Sequence, residues 1–361
     1  MASSRFKSAA ATIVALTTAL ALSSCGSDDS SGGGDGLFTG KTITFVSPFP
    51  PGGQADIRAR LAAENFAKFA PGKPRVVVRN QDGGGGAVAM KDVLQNKDPD
   101  GTTIVVPTVG VLLRWLLKEA GHDYPLNQAK LVGSMPGSNL FVVRSDKATT
   151  VDELLESSGK WVVGDNAPNS APGLGNELAA KLLGIDIDHV FGFEGEGPLA
   201  LAVERGEVDI VAVGDAAWRQ TYKPLNKVTP IFQWGILDAD GVTTPSELLA
   251  DTNTKTLEEV LVDLKGEAPT GPTWEAFQAI IGLQALDTPL LIHPDTPDET
   301  LEALQSAWAA MVADDSWAEL SQERLGAIQP TIPGDEAAAV MDRALKPSEP
   351  ARNELLEVSG G

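Results

Sequence analysis

From Lys41 onward, short runs of β-branched and apolar residues alternate with segments whose apolar residues recur at helical spacing. This alternation leaves few folds open, because strands buried on both faces need helices on both sides of their sheet. Residues 42–49 form the first run, closed by Pro50-Pro51-Gly52-Gly53. Ile57, Leu61, Ala62, Phe66 and Phe69 then place a helix over residues 55–69. A second strand, 75–79, leads through four glycines at 83–86 into a helix reaching residue 94, and strand 103–108 and helix 109–119 follow. This first unit reads as a parallel sheet covered on both faces. After a long extended stretch, 131–144, the pattern restarts. Strands at 161–164, 189–193, 209–213 and 229–234 alternate with helices at 173–183, 198–205 and 216–225, a second α/β unit. The section 239–272 is Thr-, Asp- and Pro-rich at its ends and holds one helix, 256–264. Residues 290–293 return as a strand, and Thr296-Pro297 opens a further helix with Thr296 as N-cap and Pro297 at the first helical position.

Charge and cysteine usage exclude several function classes. The 361 residues carry 49 acidic and 28 basic side chains, a formal charge of −21, whereas a nucleic-acid partner needs a cationic face. One cysteine makes no internal disulfide and no multi-cysteine metal site, and His122, His189 and His293 form no metal-binding pair. At the N-terminus, Arg5 and Lys7 precede an apolar run, 9–22. That run is too short to span about 30 Å of hydrocarbon comfortably but suits the core of a signal peptide. It ends in Leu22-Ser23-Ser24-Cys25-Gly26, which resembles a bacterial lipobox. Residues 1–24 are therefore expected to be a cleaved signal, Cys25 to be lipidated, and residues 25–40 to tether the body to the outer face of the cell membrane.

The first two strand–helix junctions carry the chemistry. Gly52 and Gly53 let a ligand approach the main chain, and the free N–H groups of the following helix present partial positive charge. The result is an anion site without a cationic side chain, and Gly84, Gly85 and Gly86 repeat the device at the second junction. In parallel sheets both loops fall at the carboxyl ends of strands, where ligands sit. Other motifs fail. Gly40-Lys41-Thr42 lacks the first glycine of a P-loop, because residue 35 is Asp, and it precedes the first strand. Ser157-x-x-Lys160 has no partner motif and sits at a helix end. His189 reads as a packing or surface histidine rather than a base, and Trp218 as the tryptophan best placed to face a ligand. No nucleophile–base or metal constellation can be assembled, so the chain reads as a binding protein and not an enzyme.

Taken together, these motifs resemble the TctC/Bug family, the extracytoplasmic solute receptors of tripartite tricarboxylate transporters. The resemblance rests on Phe49-Pro50-Pro51-Gly52-Gly53-x-x-Asp56, then Asn80 with Gly84–Gly86, then Pro99-Asp100-Gly101-Thr102. A second block comprises Ser170, Gly175, Leu183-Gly184, His189-Val190-x-x-Phe193-x-Gly195, Gly206-x-Val208-Asp209 and Asp215. Glu194 departs from the usual aromatic-basic-Gly triplet, and the 238–271 stretch is longer than the family leads one to expect.

The resemblance implies a type II periplasmic-binding-protein fold, two α/β lobes around a ligand cleft, joined by two crossover strands. Lobe 1 would comprise residues 41–140 plus 266–361, and lobe 2 residues 141–265. It implies a small carboxylate as ligand, held by backbone groups and water rather than an arginine clamp. Delivery would be to large and small membrane subunits, with the receptor a monomer lacking any cofactor. The expected contacts are N–H groups around Phe49, Pro51, Gly52, Gly53 and Gln54, and around Gly84, Gly85, Gly86 and Ala87. Thr108, Asn166, Ser170, Phe193 and Asp215 would come from the other strand ends. Asp56 either touches ligand or bonds near the first turn of its own helix. The alternative is a binding protein of the same architecture for a phosphonate, an amino-bearing compound or a neutral one.

Overall fold

The computed structural model describes residues 36–360. The expected signal, Cys25 and the start of the tether lie outside these residues, as does the side chain of Gln54. The end of the expected tether is folded. Phe38 is fully buried, and its N–H donates to the Pro71 carbonyl at 3.2 Å.

The strands are β1 (Thr42–Ser47), β2 (Arg75–Asn80), β3 (Thr103–Val105), β4 (Lys130–Met135), β5 (Asn139–Arg144), β6 (Trp161–Gly164) and β7 (Ile187–Val190). They continue with β8 (Ile210–Gly214), β9 (Val228–Gln233), a small hairpin of β10 (Ile236–Leu237) and β11 (Thr243–Thr244), then β12 (Thr288–Ile292) and β13 (Ile332–Pro333). One six-stranded sheet has the order β13-β4-β12-β3-β1-β2, and a five-stranded sheet the order β7-β6-β8-β5-β9.

The first sheet is mixed, which corrects the parallel expectation. β1, β2 and β3 are parallel, but β12 runs antiparallel to both β3 and β4, and β13 antiparallel to β4. In the second sheet β6, β7 and β8 are parallel while β5 is antiparallel to β8 and β9. The stretch 131–144 is two strands, β4 in one sheet and β5 in the other, and β12 returns to the first sheet after the second is built. β5 and β12 both arrive from the neighbouring sheet, and such a strand need not keep the direction a right-handed βαβ crossover imposes.

Central strands such as β5, β8 and β12 are buried on both faces, so apolar residues occupy their successive positions, while the edge strands β2 and β7 stay partly open. In β5, Leu140 and Val142 face one core, with Val211, Val213, Trp218 and Tyr222. Phe141 and Val143 face another, where Phe141 stacks on Phe232 at 4.5 Å between ring centroids. That second core is shared: Val46, Val105 and Leu291 of the first sheet belong to it too. Ile43, Phe45, Phe66 and Trp308 fill the far side of the first sheet.

The helix Pro272–Ala285 joins the two halves of the shared core, Phe277 meeting Trp234 edge-on at 5.8 Å. It packs on the helices Ala171–Leu183, Gly334–Leu345 and Glu349–Val358. Glu349–Val358 in turn touches Ala171–Leu183, where Lys181 Nζ lies 2.9 Å from Glu354 Oε1. The chain's last helix therefore leans on the layer that covers the second sheet.

Local chemistry sets the element ends. The expected helix 55–69 breaks at Asn65 into Gln54–Glu64 and Phe66–Phe69. Residues 215–225 are helical but contain a wide turn, Trp218–Tyr222. The helix Asp298–Val312 is capped by Pro297 in extended conformation, not by Thr296, whose buried hydroxyl has no partner among the described residues. Thr256 does cap its helix, forming a reciprocal box with Glu259.

Candidate functional site

The corner after β1 is folded by Asp56. Its carboxylate is buried and accepts from the Gly52 N–H at 2.9 Å, Arg60 Nε at 2.9 Å and Asn80 Nδ2 at 2.8 Å. Asn80 Nδ2 also reaches the Phe49 carbonyl at 2.9 Å, tying the corner to the end of β2. Burial disfavours the charged carboxylate, but these donors outweigh it and hold the Asp56 pKa at about 2. The Gly52 amide, an expected ligand donor, is thereby engaged within its own loop. Pro51, Gly52 and Gly53 stay exposed, and Phe49 is half-buried.

The second corner needs its glycines for conformation. Gly83, Gly84, Gly85 and Gly86 have φ of 127°, 56°, 62° and 97°, a run L-residues cannot follow without strain. The corner lies under the helix Val109–Leu116. A Cβ on Gly86 would fall 2.7 Å from Val111 Cγ2, and one on Gly85 would fall 3.3 Å from Arg114 Nε. The absent side chain at Gly85 makes the bed on which Arg114 lies. Ala87 is buried beneath.

Two cavities lie where residues of the two sheets face each other. The first, about 330 Å³, takes Val109, Gly110 and Arg114 from the first-sheet side, and Asn166, Ser170 and Phe193 from the second. The second, about 370 Å³, takes Ala55, Arg58 and Thr108 from one side and Asp215 and Gln220 from the other. Glu196 lines both. Of the residues expected to touch a ligand, Asn166, Ser170 and Phe193 thus meet at one cavity and Thr108 and Asp215 at the other. Phe49, Pro51, Gly52, Gly53, Asp56, Gly84, Gly85, Gly86 and Ala87 line neither.

On the second-sheet side, the first turn of the helix Ala171–Leu183 borders the first cavity, with the favourable end of the helix dipole. Ser170 is its N-cap: the hydroxyl accepts from Gly173 N at 3.0 Å and donates to the Ala167 carbonyl at 2.7 Å. Behind this wall Asp165, itself lining the cavity, lies 3.0 Å from His189 Nδ1, and Glu177 lies 3.2 Å from Nε2. Burial opposes protonation of His189, yet the two carboxylates raise its pKa to about 9. Burial raises Asp165 in turn, with His189 and Asn176 pulling it back. His189 is thus part of a half-buried charge cluster, which the sequence reading misses.

The second cavity holds two partnered carboxylates. Asp215 accepts from Arg219 Nη2 at 2.8 Å. Asp287 pairs with Arg58, which also donates to Thr288 Oγ1 at 3.1 Å. Burial pushes the Asp287 carboxyl up; Arg58 lowers it and Asp215 raises it further.

Three features depart from the sequence reading. Arg114 brings a cation to a cavity expected to have none. It belongs to a helix of sequence VGVLLRWL, where a lone charge among apolar residues was the available signal. Glu196, not Glu194, faces the cavities; Glu194 is exposed and lines neither. Trp218 packs into the core of the second sheet instead of facing a ligand, because the turn after Asp215 rotates it inward. Among the described residues no group of three or more His, Cys, Asp or Glu could hold a metal ion.

No family model matches the chain. A UPF0065 protein of Bordetella pertussis is 28% identical over 284 residues, 75% of this chain and 76% of its own length. A crystal structure of a TctC solute-binding protein from Polaromonas, without ligand, aligns with a TM-score of 0.66 at 20% identity, covering 84% of this chain and 95% of that one. The fold is that of the TctC/Bug solute-binding proteins. MatC of Rhodopseudomonas palustris, solved with bound malate, is similar at a TM-score of 0.54 and 21% identity, over 88% of this chain and 98% of that one. The type II architecture expected from the motifs is the architecture found.

Proposed function

We propose that the chain is an extracytoplasmic receptor of TctC/Bug type that captures a small carboxylate between its two lobes. One observation carries the reading: the cavities are built jointly by residues that flank the two separate sheets. A ligand seated there contacts both lobes, and only such differential contact lets binding favour a closed state. The bed of glycines under Arg114, the cavity-facing helix start at Ala171 and the malate-bound neighbour all support an anionic group on the ligand.

In this reading Asn166, Ser170 and Phe193 receive the ligand from lobe 2, and Thr108 from lobe 1. Gly53 and Gly84–Gly86 approach it on closure. Cys25 carries the lipid that holds the receptor at the membrane, and the loaded monomer hands its ligand to the membrane subunits of a tripartite transporter. A thermal-shift screen of a carboxylate panel, with calorimetry on the hits, tests this. Saturable binding of a carboxylate supports it; tight binding of a sugar or peptide with no carboxylate bound defeats it. A second reading, a ligand with an amino group, is favoured by Glu196, which lines both cavities and makes no ion pair among the described residues.

A further inference from the structure

Resting on the receptor reading, the cavity-lining charges sort the ligands this cleft can take. Three charged side chains line the first cavity: Arg114, Asp165 and Glu196. Asp165 is engaged by His189 and Asn176. Arg114 spends only Nη1, which donates to Glu119 Oε2 at 2.8 Å; Nε and Nη2 make no hydrogen bond among the described residues. That pair is about two-fifths exposed on the arginine side, and exposed ion pairs contribute little, so an incoming carboxylate competes easily. Glu119 also accepts from Asn169 Nδ2 at 2.7 Å, so the carboxylate that orients Arg114 is itself held by the loop of the opposite lobe. Gly85 leaves room for the guanidinium, whose Nε lies 3.3 Å from where a Cβ would sit. Arg58, the arginine of the second cavity, also bonds only through Nη1, to Asp287 and Thr288, but its pair with Asp287 is buried on both sides and is costly to break.

At the other end, Glu196 stands where the two cavities meet, whereas Arg114 lines the first alone. Beyond Glu196, the carboxylates Asp215 and Asp287 are matched by Arg219 and Arg58, so no cation is left over there for a second anionic group. We infer that the ligand is a monocarboxylate whose far end is neutral or positively charged. Arg114 holds its carboxylate, and Glu196 rejects a second one.

Three probes with the same five-carbon chain vary the far end: pentanoate, 5-aminopentanoate and glutarate. Calorimetry on the full chain should show glutarate bound at least about 10-fold more weakly than the better of the other two, the scale of one opposed charge in a partly desolvated site. Arg114→Gln should weaken all three about 10- to 100-fold, as expected for a lost charge-assisted hydrogen bond, and Arg114→Lys should recover part of that loss. Glu196→Gln should narrow the gap between glutarate and the other two, by strengthening glutarate and weakening 5-aminopentanoate. Circular dichroism at matched conditions confirms that each variant is folded. Glutarate binding tightest to the unaltered chain, or undiminished binding to a folded Arg114→Gln variant, overturns this inference while leaving the receptor reading standing. Binding of none of the three, nor of malate, overturns both.

Discussion

Replacing Asp56 by Asn tests how the first glycine corner is held. The carboxylate accepts three hydrogen bonds inside the fold, from Gly52 N–H, Arg60 and Asn80. The amide offers one oxygen to those donors and turns an NH2 group against one of them. Gly52 and Arg60 share Oδ2, so the amide oxygen can keep both while its NH2 opposes Asn80. Losing that bond, about 1.5–3 kcal/mol, and the charge assistance of the other two gives an expected loss of about 3 kcal/mol at pH 7. The pH dependence is a second, independent reading. Asp56 has a folded pKa of about 2 against an ordinary value of 3.8, so its contribution is complete above pH 3.8. It is lost as the pH falls through 2, and the shift corresponds to about 2.5 kcal/mol. Urea unfolding followed by circular dichroism from pH 7 to pH 2 measures both. The variant should be less stable at neutral pH and its stability should fall less steeply between pH 4 and pH 2. A variant within about 0.5 kcal/mol of the unaltered chain, with the same acid slope, would refute the claim that Asp56 folds this corner.

Other expectations follow from the same contacts. His189 has a folded pKa of about 9 against 6.5, so its stabilisation is complete below pH 6.5 and is lost as pH rises through 9. Urea titrations from pH 6 to 10 should show that fall, and His189→Gln should flatten it. Gly175→Ala places a Cβ 2.1 Å from Trp234 Cη2, and differential scanning calorimetry should register a loss of about 1–3 kcal/mol with a shift in tryptophan fluorescence. Thr256→Ala removes the capping box of the helix Leu257–Lys265 and should cost about 1 kcal/mol in urea unfolding.

The strands were legible because runs such as Trp161–Gly164 and Ile210–Gly214 are apolar at successive positions, which only a sheet buried on both faces requires. Strand direction was not legible. Pro136-Gly137-Ser138 marks a break within residues 131–144, but a turn signal does not say that the strands on its two sides belong to different sheets. The helix Pro272–Ala285 escaped for a related reason. Trp274, Phe277, Ile280, Ile281 and Leu283 bury nearly its whole circumference, so no polar face remains to reveal a period. The glycine corners were visible as corners, but not what they serve. Gly52 donates to a side chain four residues on, and Gly85 makes room for an arginine contributed by a later helix. The meeting of Arg114 with Asn166 and Ser170 depends on how two sheets face each other, which no local spacing encodes. His189 looked isolated for the same reason, since its partners Asp165 and Glu177 lie on other elements.

Capture of a guest between the sheets has a direct readout in hydrogen–deuterium exchange by mass spectrometry, with and without a saturating carboxylate identified by calorimetry. Peptides spanning residues 83–87 and 109–114 on one side and 166–173 on the other should slow together, while the edge strand Arg75–Asn80 exchanges as before. Slowing on one side alone, or none in either despite saturation, would contradict a ligand enclosed by both lobes.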